Sequence, residues 1–336
     1  MDVGAVLRDA KYTNLSLYYL VHILPNMCDD KDVTRLVKDY CMQMDNSEAR
    51  HHGLEFLLVH HYMEEFQTLL QENTLSKYPY EQSWGRLYEL YYRAEIQNLS
   101  SFEMLHELKE ITIYSDEQRC MQIILELYSY YKMNRFDKIG SLTDELGWKL
   151  EKLEPSIIKD SYTYRLYEIL QRYHWRRNEL LLSRKYGYRI LQNHISPRRR
   201  CKTQQCLGMS YLFDGYDQGI FHLQEALQIA EKWKLTRFYF SVKEQNIPFL
   251  SAYYKKTEGI TSCEPSEQAH LAIANGNTGK AIAILNTFVE LSPFQKYYLG
   301  LAAQNEVLLL ESYNDFITNM SHHFYARLPL RQLHHS

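Results

Sequence analysis

Glycine, proline and cysteine are all scarce in this sequence, and each shortage narrows the class of protein. Only 13 glycines and 8 prolines occur among 336 residues. Dinucleotide-binding folds and β-sandwiches need glycine for tight turns and close ligand approach, so this composition counts against both. The six cysteines include no CxxC pair. We therefore expect a helical protein with free thiols, as in a reducing cytosol.

Long apolar runs and an excess of charge of one sign are also missing. The formal net charge is -3, so no domain-wide basic surface points to nucleic acid. The first residues, MDVGAVLRDAKY, lack the basic and apolar regions of a signal peptide. No stretch reaches the ~18 apolar residues of a membrane span. We predict a cytoplasmic protein without membrane contact.

Tyrosine is abundant instead, with 29 residues in a chain that is 45% hydrophobic. Many of these residues follow helical spacing, as do Tyr88, Tyr91 and Tyr92, which is typical of side chains that pack between helices. A second interpretation is that some of them line a groove for an extended peptide.

The segment LGMSYLFDGYDQGIFHLQEALQIAEKWK, residues 207–234, has the pattern of a helical hairpin. Its first half places Gly208 and Tyr211 on one helical face, and an Asp214-Gly215 turn follows. Small and apolar residues then recur at three- and four-residue steps: Gly219, Leu223, Ala226 and Ala230. This spacing is similar to that of tetratricopeptide repeats, in which small residues let two helices approach closely.

The hairpin pattern recurs later in the chain. EQAHLAIANGNTGKAIAILNTF is a fair copy, and residues 299–316 are a weaker one. Three units reach the rough minimum for stacked repeats. We predict an all-α, tetratricopeptide-like helical-repeat superhelix, an α-solenoid, over residues 39–336. Residues 1–38 are predicted to form a short N-terminal helical segment.

Three local signals predict where helices begin or break. Ser100 with Glu103 is a capping box, and Ser196-Pro197 is an N-cap followed by proline in the first helical turn. Pro248 is expected to interrupt the helix predicted over residues 236–256.

Catalytic motifs are missing from the sequence. No HExxH, GxSxG or GxxxxGK[ST] pattern occurs, and GNTGKA has Ala274 where a phosphate loop needs its first glycine. Four pairs of adjacent histidines are present: His51-His52, His60-His61, His322-His323 and His334-His335. Neighbours on a helix point ~100° apart, so a pair is not expected to hold one metal ion. We predict that the protein is not an enzyme and that it binds neither a metal ion nor a cofactor.

Two basic clusters are separated by one predicted hairpin. RYHWRRN carries Arg172 and His174, and SPRRRCK carries Arg198 in the first turn of a helix. Cations at a helix N-terminus oppose the helix dipole. One interpretation is a solvated rim with weak ion pairs. The other is a site for a carboxylate or phosphate, since arginine holds such groups through two hydrogen bonds.

Five segments in order resemble one known family. KDYCMQMDNSEARHHGLEFL, SWGRLYELYYRAE, PSIIKDSYTYRLYEIL, LGMSYLFDGYD and LPLRQL, spread over residues 38–333, are similar to the arbitrium receptors, the AimR family of Bacillus phages. The resemblance implies an intracellular receptor for a short communication peptide. Such a receptor is a transcriptional regulator of the lysis-lysogeny decision in the host bacterial cytoplasm.

The resemblance also implies which residues bind the peptide. Arg198 lies where the family has a peptide-holding arginine, while Leu212 and Phe249 match apolar pocket residues, and Glu267 also matches. Four positions depart from or border the family pattern: Met209 replaces an asparagine, Arg172 and His174 lie where asparagines are used, and His322 lies near a family aspartate. Losing amides removes hydrogen bonds to a peptide backbone, so the ligand could differ.

Both ends differ from the family pattern as well. Family members have a longer segment before the KDYC match, which holds most of a helix-turn-helix, so residues 1–38 are expected to be a remnant of it. The family also continues beyond LPLRQL into a helix used in dimerisation. The resemblance thus implies a peptide partner and a homodimer, whereas DNA binding by this chain is doubtful. The alternative function is a helical-repeat protein-interaction module without DNA binding of its own.

Overall fold

The computed structural model describes residues 16–27, 29–43, 47–192 and 196–333, and every regular element within these ranges is a helix. The α-helices are α1 (Leu17–Ile23), α2 (Asp30–Cys41), α3 (Ser47–His60), α4 (Met63–Thr74), α5 (Pro79–Ile96), α6 (Ser101–Lys109), α7 (Asp116–Lys132), α8 (Ile139–Lys152), α9 (Ile157–Arg176), α10 (Leu180–Leu191), α11 (Pro197–Ser210), α12 (Tyr216–Lys232), α13 (Thr236–Phe240), α14 (Ile247–Tyr253), α15 (Pro265–Ala274), α16 (Thr278–Leu285), α17 (Pro293–Ala303), α18 (Glu306–Thr318) and α19 (His323–Leu333). The predicted all-α, helical-repeat fold is confirmed. No helix among the described residues is both long and apolar enough to cross a membrane.

The predicted helix starts at Ser100 and Ser196 are confirmed, and side-chain hydrogen bonds close the first of them. The Ser100 hydroxyl accepts a hydrogen bond from the Glu103 amide, and the Glu103 carboxylate accepts one from the Ser100 amide. Ser196 is the N-cap of α11, with Pro197 in its first turn. These short-range signals locate the helix ends because each needs only residues within one turn.

The chain forms two compact units, Met1–Leu166 and Tyr167–Ser336, whose boundary lies inside α9. The predicted division into residues 1–38 and 39–336 stays a prediction. In the described part of residues 1–38, Val33 and Val37 are buried, so α2 contributes to a core. The first fifteen residues of the predicted helix-turn-helix remnant lie outside the described residues.

The core of the first unit contains a buried ion pair. The Arg165 guanidinium donates to Glu55 through Nη2 at 2.8 Å and Nε at 3.1 Å, and both side chains are almost fully buried. The Tyr88 hydroxyl donates to the second Glu55 oxygen at 3.0 Å, and the Ser161 hydroxyl also donates to this carboxylate. Each oxygen of the buried carboxylate is therefore satisfied, as a buried charge requires.

The predicted close packing of α11 against α12 is present in the second unit. A Cβ atom on Gly208 would lie 2.7 Å from Leu223 Cγ and 3.0 Å from the Gly219 carbonyl oxygen. The later hairpin of α17 and α18 repeats this arrangement, because a Cβ on Gly300 would lie 2.8 Å from Leu309 Cδ2. Small residues at these positions thus set the distance between paired helices.

Replacing Gly208 with alanine is expected to destabilise the protein by about 1–3 kcal/mol, since the new methyl group must displace Leu223 and backbone. Gly147→Ala is the matched control in the middle of α8, where a Cβ meets only Leu166 Cδ2 at 3.8 Å. That change should stabilise the chain by roughly 0.5–1 kcal/mol through lower unfolded-state entropy. Urea unfolding of both variants measures the difference, and equal effects would contradict the packing argument.

Pro248 interrupts the helix predicted over residues 236–256. A π-helical turn, Ser241–Asn246, separates α13 from α14, and Pro248 lies in the first turn of α14, where its missing amide hydrogen is tolerated. The Asn246 side-chain oxygen accepts a hydrogen bond from Gln205 of α11 at 2.5 Å. Phe249 follows directly and is buried.

Candidate functional site

A charged cluster lies between α9 and α11 of the second unit. The Glu168 side chain is 9% exposed and forms ion pairs with Lys202 and, at 3.5 Å, with Arg172. Burial opposes ionisation of Glu168, but Lys202 and Arg172 outweigh burial and lower its pKa to about 2. The predicted site residue Arg172 therefore already has a carboxylate partner within its own helix.

Arg198 differs from Arg172 in its surroundings. Its side chain is exposed in the first turn of α11, and its guanidinium lies 5.7 Å from the centre of the Phe238 ring. Among the residues that the structure describes, no carboxylate forms an ion pair with it. Lys202 follows one turn later on the same helical face. An anionic ligand at Arg198 would offset the unfavourable position of this cation at a helix N-terminus.

An aromatic cluster surrounds Phe249 and draws on four helices. The rings of His270, Phe294, Tyr298 and Tyr325 have centroids 5.3, 5.6, 6.4 and 6.2 Å from that of Phe249. These residues come from α14, α15, α17 and α19, so the cluster joins hairpins that are distant in sequence. The cluster is almost entirely buried, and it combines apolar area with the polar edges of His270 and the tyrosines.

Glu267 adds a negative charge beside the aromatic cluster. Its Oε1 accepts a hydrogen bond from the Tyr298 hydroxyl at 3.1 Å, and its Oε2 lies 3.7 Å from His270 Nδ1. Burial, and then the charge of Glu267, raise the pKa of Tyr298 well above its usual range. Oε2 of Glu267 and Nδ1 of His270 are buried and have no hydrogen-bond partner among the described residues. Buried polar atoms without a hydrogen bond are uncommon in proteins, so a polar group of a ligand that reached this pair would be bound favourably.

Cys206 lies on α11, four residues after Lys202. Burial raises the pKa of the Cys206 thiol, while Arg172 and Lys202 lower it. Burial raises the pKa of Tyr325, and Cys206 and Glu267 raise that pKa further. We define the site face by Glu168, Arg172, Arg198, Lys202, Cys206, Phe249, Glu267, His270, Tyr298 and Tyr325.

Met209 and Leu212 lie in the same hydrophobic core as the aromatic cluster. Met209 is 4% exposed and Leu212 is fully buried, and Phe249 and Tyr298 of that core are buried to a similar degree. The predicted contact of Met209 and Leu212 with a peptide stays a prediction, as it does for Phe249.

The ring nitrogens and ring faces of His174 and His322 contact other residues of the protein, so neither side chain needs a ligand. His174 Nδ1 lies 2.6 Å from the Glu179 carboxylate, and its ring stacks on Tyr186. His322 precedes α19, and its Nδ1 accepts a hydrogen bond from the Tyr325 amide at 3.4 Å. Its ring packs against Trp175 and Tyr325. Their assignment to peptide binding also stays a prediction.

Some residues of the site face gave little or no signal in the sequence. Glu168 lies four residues before Arg172, and Lys202 ends the SPRRRCK segment, so helical spacing could have linked these charges to the basic clusters. His270, Tyr298 and Tyr325 had no such signal. They meet only because α15, α17 and α19 pack together, and their sequence separations carry no local pattern.

Two curated relatives share sequence with the chain. An uncharacterized protein of Bacillus anthracis is 23% identical over 252 residues, which cover 71% of this chain and 92% of that protein. The AimR transcriptional regulator of Bacillus phage phi3T is 22% identical over 330 residues, which cover 94% of this chain and 84% of that protein.

Two solved structures share the fold, and a family model matches most of the sequence. SeMet-phAimR has a TM-score of 0.78 at 20% identity, covering 99% of this chain and 93% of that chain. The phAimR-Ligand structure has a TM-score of 0.79 at 20% identity, covering 96% and 97%. The model described as AimR transcriptional regulator-like matches residues 33–335. The resemblance carried by five short segments is thereby confirmed, and this chain belongs to the AimR transcriptional regulator-like family.

Proposed function

We propose that this chain is a receptor for a short communication peptide and acts as a transcriptional regulator of the phage lysis-lysogeny decision. Membership of the AimR-like family and similarity to the phage phi3T regulator support the regulatory role. Similarity to a structure of phAimR with a ligand supports a binding function. The proposed role is regulatory rather than enzymatic, and it places the protein in the bacterial cytoplasm.

One observation carries the choice of binding site. Glu267 Oε2 and His270 Nδ1 are buried 3.7 Å apart beside a cluster of aromatic rings, and neither atom forms a hydrogen bond with a described residue. A peptide supplies the matching chemistry, since its amine or amide hydrogens can donate to Glu267 while apolar side chains contact the rings. Its carboxylate would pair with Arg198, which has no described counter-ion.

The output of the receptor requires a further partner. We propose a homodimer as the regulatory form, in line with the family resemblance. Direct DNA contact by this chain is not part of the proposed function. A helical-repeat module that binds a protein instead is the alternative if no peptide is bound.

Calorimetric titration with candidate hexapeptides tests the proposal. We expect micromolar or tighter binding to the wild-type chain, and Arg198→Ala should weaken it by over ~1.5 kcal/mol, more than about tenfold. Arg200→Ala is the matched control, because Arg200 is also exposed on α11 but lies ~200° around the helix from Arg198.

Two outcomes would count against this account. Absence of heat with every short peptide would remove the receptor function and favour the protein-interaction module. Equal weakening by Arg198→Ala and Arg200→Ala would mean that general positive charge, rather than a carboxylate contact at Arg198, attracts the peptide.

A further inference from the structure

Two adjacent histidines of the first unit face one carboxylate. His51 and His52 lie on α3, and Glu117 lies in the first turn of α7. His51 Nε2 is 3.4 Å from Glu117 Oε2, and His52 Nε2 is 3.8 Å from Glu117 Oε1. One nitrogen from each histidine and one carboxylate oxygen all lie within 4.8 Å of one another.

This arrangement corrects the premise that adjacent histidines on a helix cannot share a ligand. The two rings meet edge to face, with centroids 4.6 Å apart. Each Nε2 lies at the far end of a rotatable side chain, so two side chains that leave the helix ~100° apart can converge on a group between them. That group is supplied by α7, about 65 residues later in the chain.

The surrounding residues hold one ring in a fixed orientation. His51 is 1% exposed, and it stacks on Trp84 with a centroid distance of 4.7 Å and an interplanar angle of 5°. Tyr80 contacts the same ring edge-on at 6.0 Å. His52 and Glu117 are partly exposed, at 14% and 23% of their side chains, so an ion can reach the group from solvent.

We propose that His51, His52 and Glu117 form a binding site for Zn²⁺ or a similar divalent transition-metal ion. Zinc sites with two imidazole nitrogens and one carboxylate oxygen leave a fourth position for water. Tetrahedral bonds of 2.0–2.2 Å place ligand atoms roughly 3.4 Å apart. The two nitrogens and one Glu117 oxygen lie within 4.8 Å of one another, so small side-chain rotations would bring them to this spacing. Imidazole ligands favour zinc, copper and nickel over calcium or magnesium.

A bound ion would join α3 to α7 and stabilise the first unit in proportion to the logarithm of metal concentration. This role is independent of the proposed peptide receptor.

Metal titration of the full chain tests the site. The background variant carries His334→Ser and His335→Ser, because adjacent histidines at the C-terminus could bind zinc by themselves. We expect this chain to bind one equivalent of Zn²⁺ by calorimetry. Co²⁺ or Cu²⁺ should quench tryptophan fluorescence, since Trp84 stacks on His51. Zinc should also raise the thermal midpoint relative to a chelator-treated sample.

Variants separate this site from adventitious binding. Glu117→Gln keeps shape and removes the anionic ligand, and His52→Asn removes one nitrogen at a partly exposed position, so both are expected to fold. Each should weaken Zn²⁺ binding at least about tenfold. His106→Ala, at an exposed position on α6, is the control and should leave binding unchanged. The proposal would be overturned if the background chain did not bind Zn²⁺ at about 100 μM. It would also be overturned if Glu117→Gln and His52→Asn bound Zn²⁺ as tightly as the background chain does.

Discussion

Replacing Glu55 with alanine is expected to destabilise the first unit by about 3–5 kcal/mol, the largest effect that the structure predicts for a single substitution. The change leaves the Arg165 guanidinium buried at 3% exposure without its counter-ion. It also removes the acceptor for the hydroxyls of Tyr88 and Ser161. Urea denaturation followed by circular dichroism measures the loss, and amide exchange in α3 and α5 assigns it to this unit.

The double variant Glu55→Leu, Arg165→Met distinguishes the cause of this destabilisation. Both charges are removed together, so much of the lost stability should return, because a buried ion pair adds little over apolar side chains of similar size. Asp137→Ala, which breaks the exposed pair with Arg135 at 3.1 Å, is the control and should have no measurable effect. A double variant as unstable as Glu55→Ala would contradict the unpaired-charge explanation.

Acidification from pH 7.5 to pH 5 is expected to lower the unfolding free energy by about 2 kcal/mol through His322 alone. Burial, and then the positive charge of Arg176, lower the pKa of His322 to about 3, against 6.5 in the unfolded chain. Below pH 6.5 the unfolded state therefore binds more protons than the folded state. The contribution of neutral His322 to the unfolding free energy is fully present above pH 6.5. It is lost progressively as the pH decreases from 6.5 towards 3.

His322→Asn isolates this contribution. Asparagine retains a side-chain acceptor for the Tyr325 amide at the start of α19 but does not titrate. The pH dependence of this variant should be shallower than that of the wild type by about 2 kcal/mol over the same range. His323→Asn changes the exposed neighbour and serves as the control. Identical pH dependence of the wild type and His322→Asn would show that His322 titrates alike in both states.

Local features of the fold could be predicted from the sequence because they depend on residues a few positions apart. The capping box at Ser100, the proline at residue 248 and the small-residue spacing around Gly208 each act within one helix or one hairpin. The small-residue spacing also predicted the close approach of α11 to α12. The family could be identified only from the resemblance of several segments in order, since helical periodicity alone does not indicate a family.

Contacts between distant segments could not be predicted in the same way. Glu55 and Arg165 are 110 positions apart, so nothing in either helix indicates that the two charges meet. The same holds for Glu117 and the two histidines of α3. The burial of Met209, Leu212 and Phe249 could not be predicted either, because an apolar residue looks alike in sequence whether it faces a core or a ligand. The predicted peptide-binding residues all stay predictions.

Amide hydrogen exchange of the full chain, with and without a saturating short peptide, tests whether the site face binds the peptide. A bound peptide is expected to slow exchange in the second unit, in the segments 198–206, 246–249, 267–270 and 294–298 that carry the site face. The Arg200→Ala variant should show nearly the same protection by the peptide as the wild type, whereas the Arg198→Ala variant should show less. Protection confined to residues 47–166, or none in the presence of a peptide that binds, would contradict the claim that this face is the receptor site.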